Sequence, residues 1–446
     1  MKSCNLLTAI LLTLFIYTQY SAAIPHPDGT PYCKDAEYSP DPHPKIWVPC
    51  PMVSTPPVQR RQNAANATNM FQITLTCLDP DKVKCNKVQR AFNLAGQILT
   101  GSLILTEPIT VNATFTNFCK SFNDCPTNGF LTLGGAAPAR TLPLKDSDGK
   151  TRLFPQSLVK QIDAQTHPQF SQFDILAMFN SVANFWFEDD TVPISQDQSD
   201  FSFVILHELV HGLGFTSSWD DYINQVPEAL TTDVSQISGG SGPSFQFLEF
   251  AFDKFMVITS TGQKMTDITA QLNQFSTGAG AQIRDINAFA SAFVASPQYQ
   301  VAKNTFKFAI TKGAMSFLPQ GETNINNAIT LETSLNPYQQ GSSISHVDFA
   351  TYSKNPDFLM RFLADRGVAL GDAIVKNGNF SGGAVGPKLL KVLESLGYAT
   401  QTNPNPIRPA TSSGSTSSSA SSLYPSISTG VFLVAGMFLA IVMGQK

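Results

Sequence analysis

The chain has 446 residues and a net charge of −4, with 14% charged residues against about 25% in an average soluble domain. Without a basic patch or tract, that balance excludes a nucleic-acid partner, and 10% aromatics, including 33 Phe, exclude a charge-driven disordered chain. No sustained heptad run, Gly-X-Y period or series of long apolar spans marks a coiled coil, a collagen or a multi-span membrane protein.

Met1-Lys2, the apolar run from Leu6 to Ile16 and Ser21-Ala22-Ala23 make the basic, apolar and small-residue zones of a secretory signal peptide, predicted over 1–23. Residues 24–58 are too rich in proline to hold regular structure. Arg60-Arg61 follow, either a dibasic processing site or an ordinary solvated pair. Cys4 leaves with the signal. Cys33, Cys50, Cys77, Cys85, Cys119 and Cys125 remain, an even set in a secreted chain. They lack the tight C-x₂-C pairs of a thiolate metal site, so they predict disulfides of open connectivity. All of them precede residue 126, which suggests a Pro-rich, disulfide-bonded region over 24–125, module or propeptide, ahead of a main domain over 126–400. Asn66, Asn112 and Asn379 open glycosylation sequons.

The strongest signal is His207-Glu208-Leu209-Val210-His211. With only six His and nine Glu in the chain, such a match arises by chance on the order of 10⁻³ times. Phe203, Val204, Leu206, Leu209, Val210 and Leu213 cover most of a helix perimeter, predicting a buried helix over 201–213. Asp200 or Ser199 can cap its start, and Gly214 can end it in a left-handed turn. The i, i+4 spacing sets His207 and His211 on one face, able to grip one ion, with Glu208 beside that face. Neutral imidazoles leave Zn²⁺ its positive charge, so a water there acidifies towards ~7 and Glu208 can act as general acid/base.

A catalytic zinc site needs a third protein ligand. In the compact H-E-x-x-H-x-x-G-x-x-H pattern Gly214 fits, but the next ligand position is Ser217, a poor zinc ligand. The candidates elsewhere are His346, the sole His after His211, the upstream His26, His43 and His167, and the carboxylates Asp220, Asp221, Glu249 and Asp253. The last two are expected on an amphipathic helix from Phe245 to Met256. Gly239–Pro243 reads as a flexible loop rather than a phosphate cradle, and no Gly-x-Ser-x-Gly elbow anchors serine-hydrolase chemistry. Residues 401–426 read as a Ser-rich stalk and 427–446 as an apolar tail with a single Lys behind it. Small residues, a polar spacer and an apolar tail form a GPI-attachment signal, with Ser419 the expected attachment residue and Ser418 and Gly414 its rivals; a single tail-anchored span is the alternative.

His211-Gly212-Leu213-Gly214-Phe215 resembles the leishmanolysin-like metzincins and related secreted zinc peptidases of the H-E-x-x-H-G-L-G-F type. The resemblance covers about Phe173 to Tyr398. Asp174–Ser181 looks like the strand before that family's active-site helix, either lining the cleft edge for an extended substrate or buried in the sheet. Ser345-His346, Leu359-Met360 and the run Gly386–Tyr398 look like the third-ligand segment, the Met-turn and the closing helix. The resemblance thus implies His207, His211 and His346 as Zn²⁺ ligands, Glu208 as general acid/base and Met360 beneath the metal. It implies an α+β zincin catalytic domain: a mixed twisted sheet, a central active-site helix, and a long insertion before the third ligand. The expectation is a secreted zinc endopeptidase acting on protein or peptide substrates, held by a lipid anchor to the outer leaflet of the plasma membrane. A catalytically inactive, GPI-anchored surface or adhesion protein on the same scaffold is the alternative. The departures are the 134 residues between His211 and His346, and Arg361 after Met360 where related proteins often carry a small residue and Pro.

Overall fold

A computed structural model describes residues 32–36, 46–54, 68–126, 130–162, 164, 166–220, 227–239, 242–409 and 440–445. The signal segment, His26, His43, Arg60-Arg61, Asn66, Asp221, Ser419 with the stalk from Ala410 onward, and the apolar tail before Ala440 lie outside the described residues. Among the described residues no helix is long and apolar enough to cross a membrane.

The Pro-rich stretch expected to lack regular structure instead contributes strands β1 (Tyr32–Asp35) and β2 (Ile46–Pro49), the prolines falling outside the strands or at their ends. The two pair antiparallel, and the Cys33–Cys50 disulfide closes them. A short strand β3 (Met52–Ser54) follows, and then a parallel unit of β4 (Phe71–Cys77), helix α1 (Lys82–Ser102) and β5 (Ile109–Thr116). Asp81 caps α1 by accepting from the amides of Val83 and Lys84. The helix buries Val88, Ala91, Phe92, Ala95 and Leu99, the i, i+3, i+4 stripe of an element lying on a sheet. Cys77–Cys85 pins the end of β4 to the first turn of α1, and Cys119–Cys125 closes a local loop after β5. Each disulfide joins sequence neighbours.

Next come β6 (Phe130–Pro138), β7 (Arg140–Lys145), β8 (Thr151–Pro155), β9 (Thr166–Pro168) and β10 (Ile175–Asn180). β10 pairs parallel with β5 and antiparallel with β6, and the outer edge of β6 pairs antiparallel with Ala440–Gln445. The main sheet therefore runs Ala440–Gln445, β6, β10, β5, β4. It crosses the boundary expected at residue 126, so the cysteine-bearing stretch from Phe71 onward shares a core with the residues after it. The β1–β2 hairpin likewise joins β7 and β8 in one sheet, with Asp35 clamped by Arg140 and Lys34 paired to Asp233. Of the two roles open to the Ile175–Asn180 strand, the buried interior one holds. Neighbours bond both its edges, and Ile175, Ala177 and Phe179 are fully buried.

Helix α2 (Phe201–Gly212) packs on this sheet beside α1. The insertion after it opens with an antiparallel hairpin, Asp233–Gly239 with Gly242–Leu248, and then a 3-10 turn over Ala251–Phe255. The helix expected from Phe245 to Met256 is thus a strand and a turn. Phe245 and Phe247 alternate along the strand and bury against Phe289 and Phe293, a period of two that the apolar count concealed. Helices Met265–Thr277, Ile286–Val294 and Pro297–Ala309 and a small sheet of Met256–Ile258, Met315–Phe317 and Ile329–Thr330 complete the insertion. The closing helix spans Pro387–Leu396 and ends at Gly397, whose φ is +120°. The architecture is mixed α and β, one five-stranded sheet with several smaller ones around it.

Candidate metal centre

Asp200 starts α2 by accepting from the amides of Ser202 and Phe203 at 2.7 and 3.1 Å, and its second oxygen accepts from Leu370 N at 2.7 Å. Every residue of α2 is buried. Phe201 sits at the hub of the rings of Phe115, Phe179, Phe185 and Phe187, with centroids 4.6–5.6 Å away. The helix lies close on β10 because residue 212 is glycine: a Cβ there would stand 2.4 Å from Ile175. Gly214, at φ +108°, then reverses the chain in a conformation that side-chain-bearing residues resist. That reversal brings the Phe215 carbonyl back to His211.

His207, His211 and His346 converge at this point. Their Nε2 atoms stand 3.0 Å apart for His207–His211, 3.1 Å for His207–His346 and 3.2 Å for His211–His346. Each Nδ1 meets a main-chain carbonyl: Leu359 at 2.7 Å, Phe215 at 2.6 Å and Ser342 at 2.9 Å, respectively. A carbonyl only accepts, so each Nδ1 carries the proton and each Nε2 directs a lone pair to the shared centre. Three converging lone pairs with no proton between them could hold a cation. Three nitrogens on a tetrahedral zinc at ~2.0–2.1 Å would stand about 3.3 Å apart, close to the observed spacing. Burial drives the His207 imidazole down to about 4, the Leu359 carbonyl opposing and the Arg361 charge assisting. Burial, with the neighbouring imidazoles, holds His211 and His346 well below their ordinary value. All are neutral near pH 7, the form in which histidine ligates. The donor set fits zinc.

Among the described residues, His207, His211 and His346 are the grouping of His, Cys, Asp or Glu able to hold a metal ion. The competing third-ligand candidates are engaged elsewhere. Glu249 accepts from Arg152 at 2.8 Å and Thr269 at 2.6 Å, and Asp253 accepts from the hydroxyls of Ser217 and Ser218. Asp220 lies in a backbone bridge with Thr231. His167 sits on β9, stacked on Phe170 at 4.0 Å. Glu208 is fully buried on α2 between the two helical histidines. Met360 ends a buried 3-10 turn, Phe358–Met360. Leu359 in that turn orients His207, and the Met360 carbonyl accepts from Val347 N at 2.9 Å, so the turn braces two of the three histidine segments. Of the glycosylation candidates, Asn379 is exposed at φ +50° after helix Leu370–Lys376, and Asn112 is half-buried within β5.

Sequence reasoning missed the orienting groups. Leu359, Phe215 and Ser342 act through main-chain carbonyls, which carry no side-chain signal. Tyr398 was visible only as the end of a helix motif. Its hydroxyl lies 2.8 Å from Ser157 Oγ and donates to the Leu213 carbonyl at 3.0 Å, locking the end of α2.

The family model described as SPBPB7E8-like matches residues 52–429, and the chain belongs to that family. A Schizosaccharomyces pombe protein, described as uncharacterized protein PB7E8.01, is 26% identical over 363 residues. The match covers 75% of this chain, which spans 63% of the length of that relative. No solved structure matches.

Proposed function

We propose that this member of the SPBPB7E8-like family is a zinc-dependent endopeptidase built on a zincin-type catalytic body, secreted and lipid-anchored at the extracellular face of the plasma membrane. What supports it is three neutral imidazole Nε2 atoms 3.0–3.2 Å apart, with a buried glutamate between two of them on one helix. His207, His211 and His346 would hold the ion, and Leu359, Phe215 and Ser342 keep their rings aimed at it. When bound there, zinc would supply Lewis-acid chemistry and lower the pKa of a water towards ~7. Glu208 takes the proton from the attacking water and delivers it to the leaving amine nitrogen. Burial around the histidines excludes bulk solvent and keeps them unprotonated. The Phe358–Met360 turn serves as the floor that fixes His207.

An extended peptide would bind by adding an antiparallel strand to the outer edge of β6, in place of Ala440–Gln445, which belongs to the tail that lipid attachment removes. α2 touches both β6 and that segment, so a chain on this edge runs past the histidine-bearing helix. The test is cleavage of an unfolded protein substrate by the zinc-loaded chain. Cleavage that stops with chelator and returns with zinc supports the proposal. Stoichiometric zinc without any cleavage would leave an inactive surface protein on the same scaffold.

A further inference from the structure

Two side chains that stood as possible or failed third ligands, Asp253 and Ser217, meet each other instead. Asp253 is fully buried in the 3-10 turn Ala251–Phe255. Its oxygens accept from Ser217 Oγ at 2.7 Å, Ser218 Oγ at 2.6 Å, Ser218 N at 3.1 Å and Phe250 N at 2.8 Å. These donors fix the chain just beyond the end of α2, where Phe215 and Phe252 also meet, ring centroids 5.0 Å apart. From that fixed segment the Ser217 amide donates to Ser345 Oγ at 3.2 Å. Ser345 immediately precedes His346 and follows Ile344, a β-branched residue at φ +57°, a conformation that must be held by its surroundings.

We infer that Asp253 is a positioning residue for the metal centre: through Ser217 it fastens the His346 segment to the end of α2. Ser217 occupies the position where the compact motif carries its third histidine. Here it anchors the loop that brings that histidine from the far side of the insertion. Backbone bonds hold the same segment from the other side, Ile344 N to the Glu332 carbonyl at 2.7 Å and Glu332 N to the His346 carbonyl at 2.8 Å. The Asp253–Ser217–Ser345 relay is a side-chain link between the two ligand-bearing parts of the chain, beside the Tyr338 hydroxyl that donates to the Trp219 carbonyl at 3.2 Å. The inference rests on the metal reading proposed above.

The test is competitive zinc titration of the full chain, with cobalt absorption spectra, for wild type, Asp253→Asn, Ser345→Ala and the double variant. Loss of a group bonded directly to a ligand costs about 10- to 100-fold in metal affinity. Asp253 acts one step further out, so Asp253→Asn is expected to weaken zinc by about 10-fold, the low end of that range. Ser345→Ala is expected to weaken zinc less, to shift the cobalt bands, and to add little once Asp253 is changed. Ser345→Ala removes only a hydroxyl, so it keeps the test decisive if Asp253→Asn fails to fold. Zinc affinity and cobalt spectra unchanged in the folded variants, with melting lowered equally in metal-free and metal-loaded forms, would reduce Asp253 to a structural role and overturn the inference. A wild type that binds neither ion overturns the metal reading itself, a distinguishable result.

Discussion

In the proposed peptidase, Glu208 and the three histidines divide the work by protonation. The histidines must stay neutral to ligate, and burial keeps them so; Glu208 must exchange a proton. Glu208→Gln keeps the size of the side chain and removes the base. It should lower kcat by about 10²–10⁴-fold while zinc content stays at the wild-type level. Parallel loss of zinc would instead mean that Glu208 supports the site structurally. The histidines also predict a pH response. A histidine held below its ordinary value binds fewer protons folded than unfolded, so its contribution is complete above about 6.5 and is lost as pH falls towards about 4. Denaturant melts of the metal-free chain should therefore show stability declining through that window on acidification. A flat profile there would argue against buried, neutral imidazoles.

At the scale of elements, α2 depends on two glycines that the motif reading treated differently. Gly214 was legible as a helix stop, because a left-handed turn is a common use of glycine. Gly212 was not, since its reason is a neighbour 37 positions back in the chain, Ile175 on β10. Gly212→Ala forces a methyl into that contact and should cost about 1–3 kcal/mol, with reduced metal affinity as α2 lifts from the sheet. Urea unfolding with zinc titration measures both, and a neutral result would mean that the helix–strand contact yields readily. The same locality explains the other successes and failures. The α2 cap at Asp200, the closing helix and its Gly397 terminus follow from local sequence, and the structure shows all three. The Phe245–Met256 stretch was misread because a short apolar run fits both periods, and its pairing with Asp233–Gly239 decides between them. The interior place of β10 depends on partners supplied by 109–116 and 130–138, far away in the chain.

Across the whole molecule, the candidate metal centre joins distant parts: α2, the turn at Met360, and the loop of His346 beyond the insertion. An ion bound only by the folded chain stabilises it by mass action, so removing zinc should lower the melting temperature, and zinc should restore it in a concentration-dependent way. Calorimetry with and without chelator gives the answer, and identical melts would deny a structural share to the ion. The proposed lipid anchor is a separate matter of the tail: phosphatidylinositol-specific phospholipase should release the protein from cells, whereas retention in the membrane fraction would contradict the anchor.

The central claim is that His207, His211 and His346 together hold one zinc ion. Zinc stoichiometry of the purified chain, as wild type and as His346→Ala, tests it most directly. The account predicts about one zinc per wild-type chain, with binding lost or weakened by about 100-fold or more in a folded His346→Ala variant, since a three-ligand site loses a direct bond. Zinc held equally well by the variant, or absent from a folded wild type, would contradict it.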